Sequence, residues 1–390
     1  MWLVPALRFP EFSGEWNTSS IEEQFELYSG NTPSRMDKKQ FDGTVNWITS
    51  GELKEHYIAD TKEKISDEAV KSNNLKLLPV GTFVIAIYGL EADGVRGTCS
   101  ITASESTISQ ACMAFISKKD IANEFLYAWY KKHGNVIGIR YAQGTKQQNL
   151  SYDIIEKFNI SYPCIEEQKK LIRFISLIDE RIATQNKIIE KLETLIKGIV
   201  ELAFSHAATS NTLGCYITQI SQRNKTGKDL PVLSVSNKHG FVEQSEQFED
   251  RIIASDDTSN YKIVDINDFA YNPARINVGS IARLKDKECG IVSPMYICFR
   301  TSKDILPEYL ELFFKTVTFS FEVGKRLEGS VRLCLSYESL CEIVIPIISI
   351  REQQSLVKMV TTFHSKLDVE KGFLSSYQSQ KQCLLSQMFI

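Results

Sequence analysis

Two short patterns in this 390-residue chain come nearest to catalytic chemistry. Asp42 followed by Glu52-Leu53-Lys54 has the carboxylates and lysine of a nuclease site, where acids would hold a metal and the lysine would steady a phosphate. Asn272-Pro273-Ala274-Arg275 starts like the Asn-Pro-Pro-aromatic motif of amino-methyltransferases. Its third and fourth positions are wrong for that role, so it is read as a turn ending a strand. In a chain that is 24% charged, an Asp with a Glu-x-Lys arises readily by chance. No Gly-x-Gly and no Walker loop occurs, so glycine cradles for a dinucleotide, a methyl donor or a triphosphate are absent. His56, His133, His206, His239 and His364 have no metal-ligand spacing to one another or to cysteine, and are read as surface or internally satisfied. The chain is therefore expected to recognise a partner, with chemistry supplied elsewhere.

What would hold a recognition surface in place is written twice. Leu171, Ile175, Ile178, Ile182, Gln185, Ile189, Leu192, Ile196, Ile199 and Ala203 alternate steps of four and three, the seam of a coiled coil. An offset of 185 carries them to Leu356, Val360, Phe363, Leu367, Glu370, Leu374, Tyr377, Lys381, Leu384 and Met388. Each stretch, 166–205 and 351–390, predicts a helix of about 60 Å at about 1.5 Å per residue. The polar breaks Gln185 and Glu370 meet in one layer if the helices pair antiparallel with aligned ends, or parallel in register. Antiparallel pairing is preferred, because it sends the two globular modules to opposite ends. Two roles stay open for Gln185 and Glu370: a hydrogen bond that fixes register, or two side chains at a solvated edge. Lys381 at a seam position is expected to snorkel.

The same offset repeats outside the helices. Gly144 and Gly329, Leu150-Ser-Tyr152 and Leu335-Ser-Tyr337, and Glu167-Gln168 and Glu352-Gln353 coincide. A period this long marks a duplicated domain, and its weakness in the globular parts suggests one scaffold presenting two surfaces. Ser349 with Glu352 makes a capping box, whereas Cys164 in the first copy is a poor cap. Strands are expected at 45–48, 76–88 (a pair broken at Pro79-Val80-Gly81), 109–116 and 232–235, and helices at 62–71 and 121–132. The fold class is α+β (mixed α/β), with two globular domains in pseudo-two-fold arrangement separated by two long antiparallel coiled-coil helices. The expected boundaries are 1–163, 164–205, 206–347 and 348–390.

Composition is that of a soluble globular chain, and a net charge of −3 gives no general pull toward nucleic acid or membrane, so any DNA-binding face must be local. No signal peptide or bilayer-spanning run is evident. Nine cysteines without paired spacing are expected to be reduced, buried thiols of a cytoplasmic protein.

The chain resembles the specificity (S) subunits of type I restriction-modification systems. The residues that carry the likeness are Val4-Pro-Ala-Leu-Arg-Phe-Pro-Glu-Phe-Ser-Gly-Glu-Trp16, Gly30-Asn-Thr-Pro-Ser-Arg35 with Trp47, Tyr271-Asn-Pro273, Gly290-Ile-Val-Ser-Pro294, Glu166-Glu-Gln168 and Arg351-Glu-Gln353. The resemblance implies two target-recognition domains, each reading half of an asymmetric two-part DNA target, with the helices as a ruler for the spacer. It implies two modification (M) subunits that bind S-adenosylmethionine and methylate adenine. It also implies restriction (R) subunits that use ATP and Mg for translocation and cleavage. No cofactor and no catalysis is then expected of this chain, which would direct methylation and defence against foreign DNA without touching a membrane. The competing expectations are a coiled-coil adaptor bridging two proteins without DNA readout, and an enzyme with an unfamiliar site.

Within that resemblance, base and phosphate contacts need Arg, Lys, amides or hydroxyls on loops. In the first domain these are Thr32, Ser34 and Arg35; Arg96 between two glycines; and Gln143, Thr145, Lys146, Gln147, Gln148 and Asn149. In the second they are Arg223, Asn224 and Lys225; Arg275, Asn277 and Arg283; and Arg326, Ser330 and Arg332. Trp47 is assigned to the core rather than to base stacking.

Overall fold

The computed structural model describes residues 3–92, 94–144, 148–205, 207, 209–237, 239–243, 258–329 and 332–390. Thr145, Lys146, Gln147, Ser330 and His206 lie outside the described residues. The chain divides into two units: Met1–Asn186 with Gly372–Ile390, and Lys187–Lys371. Each unit therefore owns one half of each long helix, Ile165–Ser205 and Ile350–Met388.

In the first unit a five-stranded sheet runs in the order Phe25–Ser29, Cys112–Ser117, Phe83–Ala86, Cys99–Thr102, Tyr57–Ile58, with Phe83–Ala86 and Cys99–Thr102 buried throughout. A three-stranded sheet, Lys64–Ile65, Val45–Ile48, Ser106–Ile108, lies in the same unit. The expected strand pair at 76–88 is one strand, Phe83–Ala86: Pro79 lacks an N–H for the ladder, and Leu78 makes only a single bridge to Ser106. The helix expected at 62–71 is shorter, Asp67–Ser72, because Ser66 caps it and Lys64–Ile65 is drawn into the sheet. The helix expected at 121–132 runs on to Tyr141. Its Phe125 is fully buried in one core with Phe25, Phe83 and Phe115 of the sheet.

The second unit repeats the sheet order. Ile217–Ile220, Ile297–Thr301, Phe269–Tyr271 and Ile281–Arg283 pair antiparallel in that sequence, as the first four strands of the five-stranded sheet do. Val232–Ser236 pairs parallel with Cys289–Val292, as Val45–Ile48 pairs parallel with Ser106–Ile108. In place of one long helix, this unit has two, Pro307–Phe313 and Val317–Arg326, broken where Thr316 caps the second.

The long helices run antiparallel within each unit. In the first, Asp179 pairs with Lys381 and Arg181 donates to Tyr377 Oη; in the second, Glu193 pairs with Lys371. Lys381 does not snorkel to water: its Nζ lies 2.5 Å from Asp179 Oδ1. The second helix keeps its expected seam, buried or half-buried from Leu356 to Met388. The first drifts. Towards its end the expected Ile196 stays buried and the expected Ile199 and Ala203 are half-buried, while Val200 and Phe204 are buried more deeply than these two. An α-helix gains about 20° per heptad on a 3.5-residue repeat, and Phe204 is drawn between Tyr309 (4.7 Å) and Phe313 (5.3 Å). Gln185 is buried and Glu370 accepts from Lys366, so neither fits a fully solvated edge.

Each long helix is fastened to its unit by a fully buried glutamine. Gln168 accepts from the Ala122 N–H and donates to the carbonyls of Asp120 and Pro163. Gln353 accepts from the Leu306 N–H and donates to the Ile348 carbonyl. The expected capping box at Ser349 forms, with Glu352 accepting from the Ser349 N–H at 2.9 Å. Glu167, beside the poor cap Cys164, instead grips the Arg8 guanidinium through both oxygens.

In the first unit the last residues lie against the helix Asn123–Tyr141. Lys132 donates to the carbonyls of Ser386 and Phe389, and His133 Nε2 donates to the Ile390 carbonyl at 3.0 Å. Burial, with Lys132 alongside, lowers the His133 pKa from 6.5 to about 4. Between those values the unfolded chain binds a proton that the fold refuses. This contribution to stability is full above pH 6.5 and is lost as pH falls toward 4. Urea midpoints measured across that window should fall with pH, and His133→Gln should flatten the fall.

The thiols are less buried than expected. Cys99, Cys112 and Cys298 are buried, but Cys164, Cys215 and Cys383 are exposed, on helix or turn positions that face away from a core. Among the described residues no helix is long and apolar enough to cross a membrane.

Candidate nucleic-acid interface

In the first unit two loops interlock at the end of the central strands. Gln143 and Asn149 exchange backbone hydrogen bonds (2.8 and 2.9 Å), which close the loop between them, and Gly144 supplies the positive φ of 111° that the closure needs. Asn149 Oδ1 accepts from the Gly89 N–H, and Gln148 is bonded through its backbone to Leu90 and to the Glu91 carboxylate. The Gln148 N–H is also the main reason that the Glu91 pKa is lowered. Arg96 runs across Gly138, where a Cβ would meet its Cγ at 2.5 Å, and donates from Nη2 to Gln148 Oε1 at 2.7 Å. Arg96, Gln143, Gln148 and Asn149 thus form one cluster. Gly89, Glu91 and Gly138, which hold it, carry no signal in the sequence by which to find them.

The Thr32–Arg35 group sits elsewhere, beside the three-stranded sheet. Ser34 and Arg35 are exposed and Thr32 is half-buried. Arg35 lies over the rings of Phe41 (4.6 Å) and Trp47 (5.5 Å) and grips Glu63 through both nitrogens. Arg35 is the chief cause of the lowered Glu63 pKa. Trp47 is core, 1% exposed. The nuclease-like pattern dissolves here: Glu52 accepts from the backbone N–H groups of Thr49 and Lys62. Among the described residues no three acids, histidines or cysteines are placed to hold a metal.

The second unit repeats the loop closure. Glu328 and Cys334 exchange backbone hydrogen bonds (3.0 and 2.8 Å), and Gly329, at φ 132°, takes the place of Gly144. The Leu335 N–H bonds to the Pro273 carbonyl as Leu150 bonds to Ile87. Arg332, three residues before Leu335, is exposed, as are Arg275 and Asn277 on the turn after Pro273. That turn is the one expected from Asn272, whose Oδ1 accepts from the Ala274 N–H. Arg223 and Lys225 are exposed on a separate edge, where Arg223 donates to Asn260.

Three expected contacts are otherwise engaged. Asn224 is fully buried, and both ends of its amide bond the Lys228 backbone, so it shapes its loop instead of facing a base. Arg283 is held by Asn267, Glu308 and Glu311 with its side chain 11% exposed. Burial raises the Glu311 pKa, but Lys285, Lys315 and Arg283 outweigh it and the net shift is downward. The adjoining cleft, about 450 Å³, is lined by Arg283, Lys285, Lys287 and Lys315, each already paired: Arg283 with Glu308 and Glu311, Lys285 and Lys315 with Glu311, and Lys287 with Glu243. Arg326 is paired with Glu322 one helical turn before it.

Residues 13–194, just under half of the chain, match the family model for the type I restriction modification DNA specificity domain. The chain is 28% identical over 185 residues to the type I restriction enzyme MjaIX specificity subunit of Methanocaldococcus jannaschii, covering 46% of this chain and 42% of that one. It is 27% identical over 199 residues to the EcoR124I/EcoR124II specificity subunit of Escherichia coli, covering 50% and 45%. Each match therefore spans less than half the length of the relative. The fold is similar to a type I S subunit from M. genitalium (TM-score 0.56, 18% identity, 99% of both chains). It is also similar to a chain solved in work on complex assembly and conformational transition of the type I R-M system (TM-score 0.61, 13% identity, 96% of this chain and 97% of that one). Residues 13–194 thus resemble a type I restriction modification DNA specificity domain in sequence, and the chain is similar in fold to type I S subunits over nearly its whole length.

Proposed function

We propose that this chain is the DNA-reading specificity subunit of a type I restriction-modification system. Each unit reads one half of an asymmetric bipartite target, and the paired long helices set the unread spacer between the halves. Two modification subunits carrying S-adenosylmethionine dock on it to methylate adenine, and restriction subunits using ATP and Mg add cleavage. This chain lends no catalytic group and binds no cofactor, and it works in the cytoplasm on double-stranded DNA. The observation that carries the proposal is the duplicated loop closure, Gln143 with Asn149 and Glu328 with Cys334. Each copy holds a short loop on a positive-φ glycine beside arginines and amides. Such closures suit recognition because the scaffold fixes the ends of a loop while the residues between them are free to vary in type. Gln185 and Glu370 would set the register of the helices.

The test is equilibrium binding of the full chain, with its modification subunit, to DNA fragments at several salt concentrations. Log K should fall linearly with log salt, with a slope of about −0.9 per phosphate contacted, and one mapped bipartite sequence should be preferred over others. Salt-independent or undetectable binding would leave the protein-bridging adaptor as the better description.

A further inference from the structure

We propose that Arg140 in the first unit, and Lys325 at the same place in the second, are phosphate anchors that hold the DNA backbone beside each recognition loop whatever the half-site sequence. The proposal rests on the DNA-reading role above. The helices Asn123–Tyr141 and Val317–Arg326 end at residues that the offset of 185 makes equivalent, just before the loop glycines Gly144 and Gly329. Their last turns present the same face to solvent. Gly134 and Gly138 are buried in one, and Phe319 and Val323 in the other. Asn135, Val136, Ile139 and Arg140 are exposed in the first, as Ser320, Phe321, Gly324 and Lys325 are in the second. Of these four outward places only the last carries a charge, and it carries a cation in both copies.

That agreement matters because the loops themselves disagree. Where the first unit has Gln143, Gln148 and Asn149, the second has Glu328, Leu333 and Cys334. Side chains that read bases must differ where two half-sites differ, whereas the phosphate backbone is the same for both. An Arg-for-Lys exchange is costly at a two-pronged contact with guanine and mild at a phosphate, which accepts either cation. Arg140 is also available. Arg8, Arg35, Arg96, Arg173 and Arg181 of the first unit each bond a carboxylate, an amide or a tyrosine, and among the described residues Arg140 bonds none. Lys325 meets Glu322 at 2.9 Å, but that carboxylate also serves Arg326, and the Lys325 side chain stays 54% exposed. So exposed a pair is weak in water and yields to a phosphate. A cation in the last turn also suits the helix dipole, and that role alone would steady the fold and touch no DNA. The two roles differ in what salt does to binding.

The experiment is equilibrium binding of the full chain, with its modification subunit, to a duplex carrying its mapped target, at several salt concentrations. Arg140→Gln should weaken binding several-fold and lower the salt slope by about 0.9, the share of one phosphate, with base preferences unchanged. Lys325→Gln should do the same, and the double variant should lower the slope by about 1.8. Arg140→Lys should keep the wild-type slope. A single uncharged methylphosphonate, moved along the first half-site, should at one position cost wild type what Arg140→Gln costs, and cost that variant nothing more. The lack of any such position overturns the inference. So does an unchanged slope in either glutamine variant: with a lowered urea midpoint, the cation serves the helix dipole, and with weaker binding of the modification subunit, the exposed face belongs to a protein. A preference lost at one base pair overturns it as well, by making the residue a base reader. Wild-type binding that ignores salt would instead refute the DNA-reading role.

Discussion

A chain carrying one extra heptad in each long helix, beside Gln185 in one and beside Glu370 in the other, should recognise the same two half-sites with about three more base pairs between them. Seven residues add about 10.5 Å of helix, close to three base pairs at about 3.4 Å each. Seven is also the number that returns an apolar seam to its starting face, within about 20°. Both seams, Leu171 to Phe204 and Leu356 to Met388, therefore stay in contact on their own faces. Three base pairs turn the duplex by about 100°, at about 10 to 10.5 per turn, and two helical turns of protein supply almost none of that rotation. The new target should consequently bind more weakly than the original binds wild type, because the DNA must twist to meet both units. Affinity for the original target should fall at least about hundred-fold, as one half-site loses its base contacts. A heptad in one helix alone would slide Asp179 away from Lys381 or Glu193 away from Lys371, and should destabilise the protein without giving a clean new target. Mapping methylated adenines in cells carrying each variant reads the outcome. A spacer unchanged in the double insertion would end the ruler.

The helical half of this fold is legible in sequence because a coiled coil repeats one physical demand every seven residues. Leu356 to Met388 obey it throughout, and the offset of 185 exposes both copies. What the period could not show is where another demand overrides it. Phe204 leaves the heptad because Tyr309 and Phe313, about a hundred residues later, form a socket for it. The glutamines at 168 and 353 stood out as a repeated pair, yet their partners are backbone groups, which carry no residue identity to be read.

The candidate interface was legible in its loops and less so in its individual side chains. Gly144 and Gly329 are glycines at matching places because both backbones need a positive φ there, and that requirement survives divergence. Arginines are different, since exposure and freedom depend on which carboxylate folds nearby. Arg35 meets Glu63 and Arg283 meets Glu311 across intervals with no helical or strand period. Only Arg326 with Glu322, four residues apart on one helix, could have been paired from sequence. Asn224 looked like a reader because amides do read bases, but Asn also closes tight loops through its own backbone neighbours, and here both amide atoms do so.

Replacing Gln353 by leucine should destabilise the second unit by about 2–4 kcal/mol, and Gln168→Leu should do the same or more to the first. Both side chains are fully buried and bond groups that have no other described partner: the Leu306 N–H and the Ile348 carbonyl for Gln353, and the Ala122 N–H with the carbonyls of Asp120 and Pro163 for Gln168. Leu306 and Ala122 are the N-cap residues of helices without a side-chain cap, so these glutamines tie each long helix to the start of its unit's own helix. Leucine fills nearly the same volume, so the loss comes from orphaned polar groups rather than from a cavity. Each orphan costs about 1–3 kcal/mol, which places the three-bond Gln168 above the two-bond Gln353. Gln353→Glu separates the two bonds: a carboxylate can still accept from Leu306 but repels the Ile348 carbonyl, so it should be at least as damaging as leucine at neutral pH and recover part of the loss when protonated. Urea unfolding, with hydrogen exchange followed separately in each unit, measures all three. A change below about 0.5 kcal/mol in both leucine variants, the size of an ordinary surface substitution, would show that these glutamines do not fasten the helices to their units.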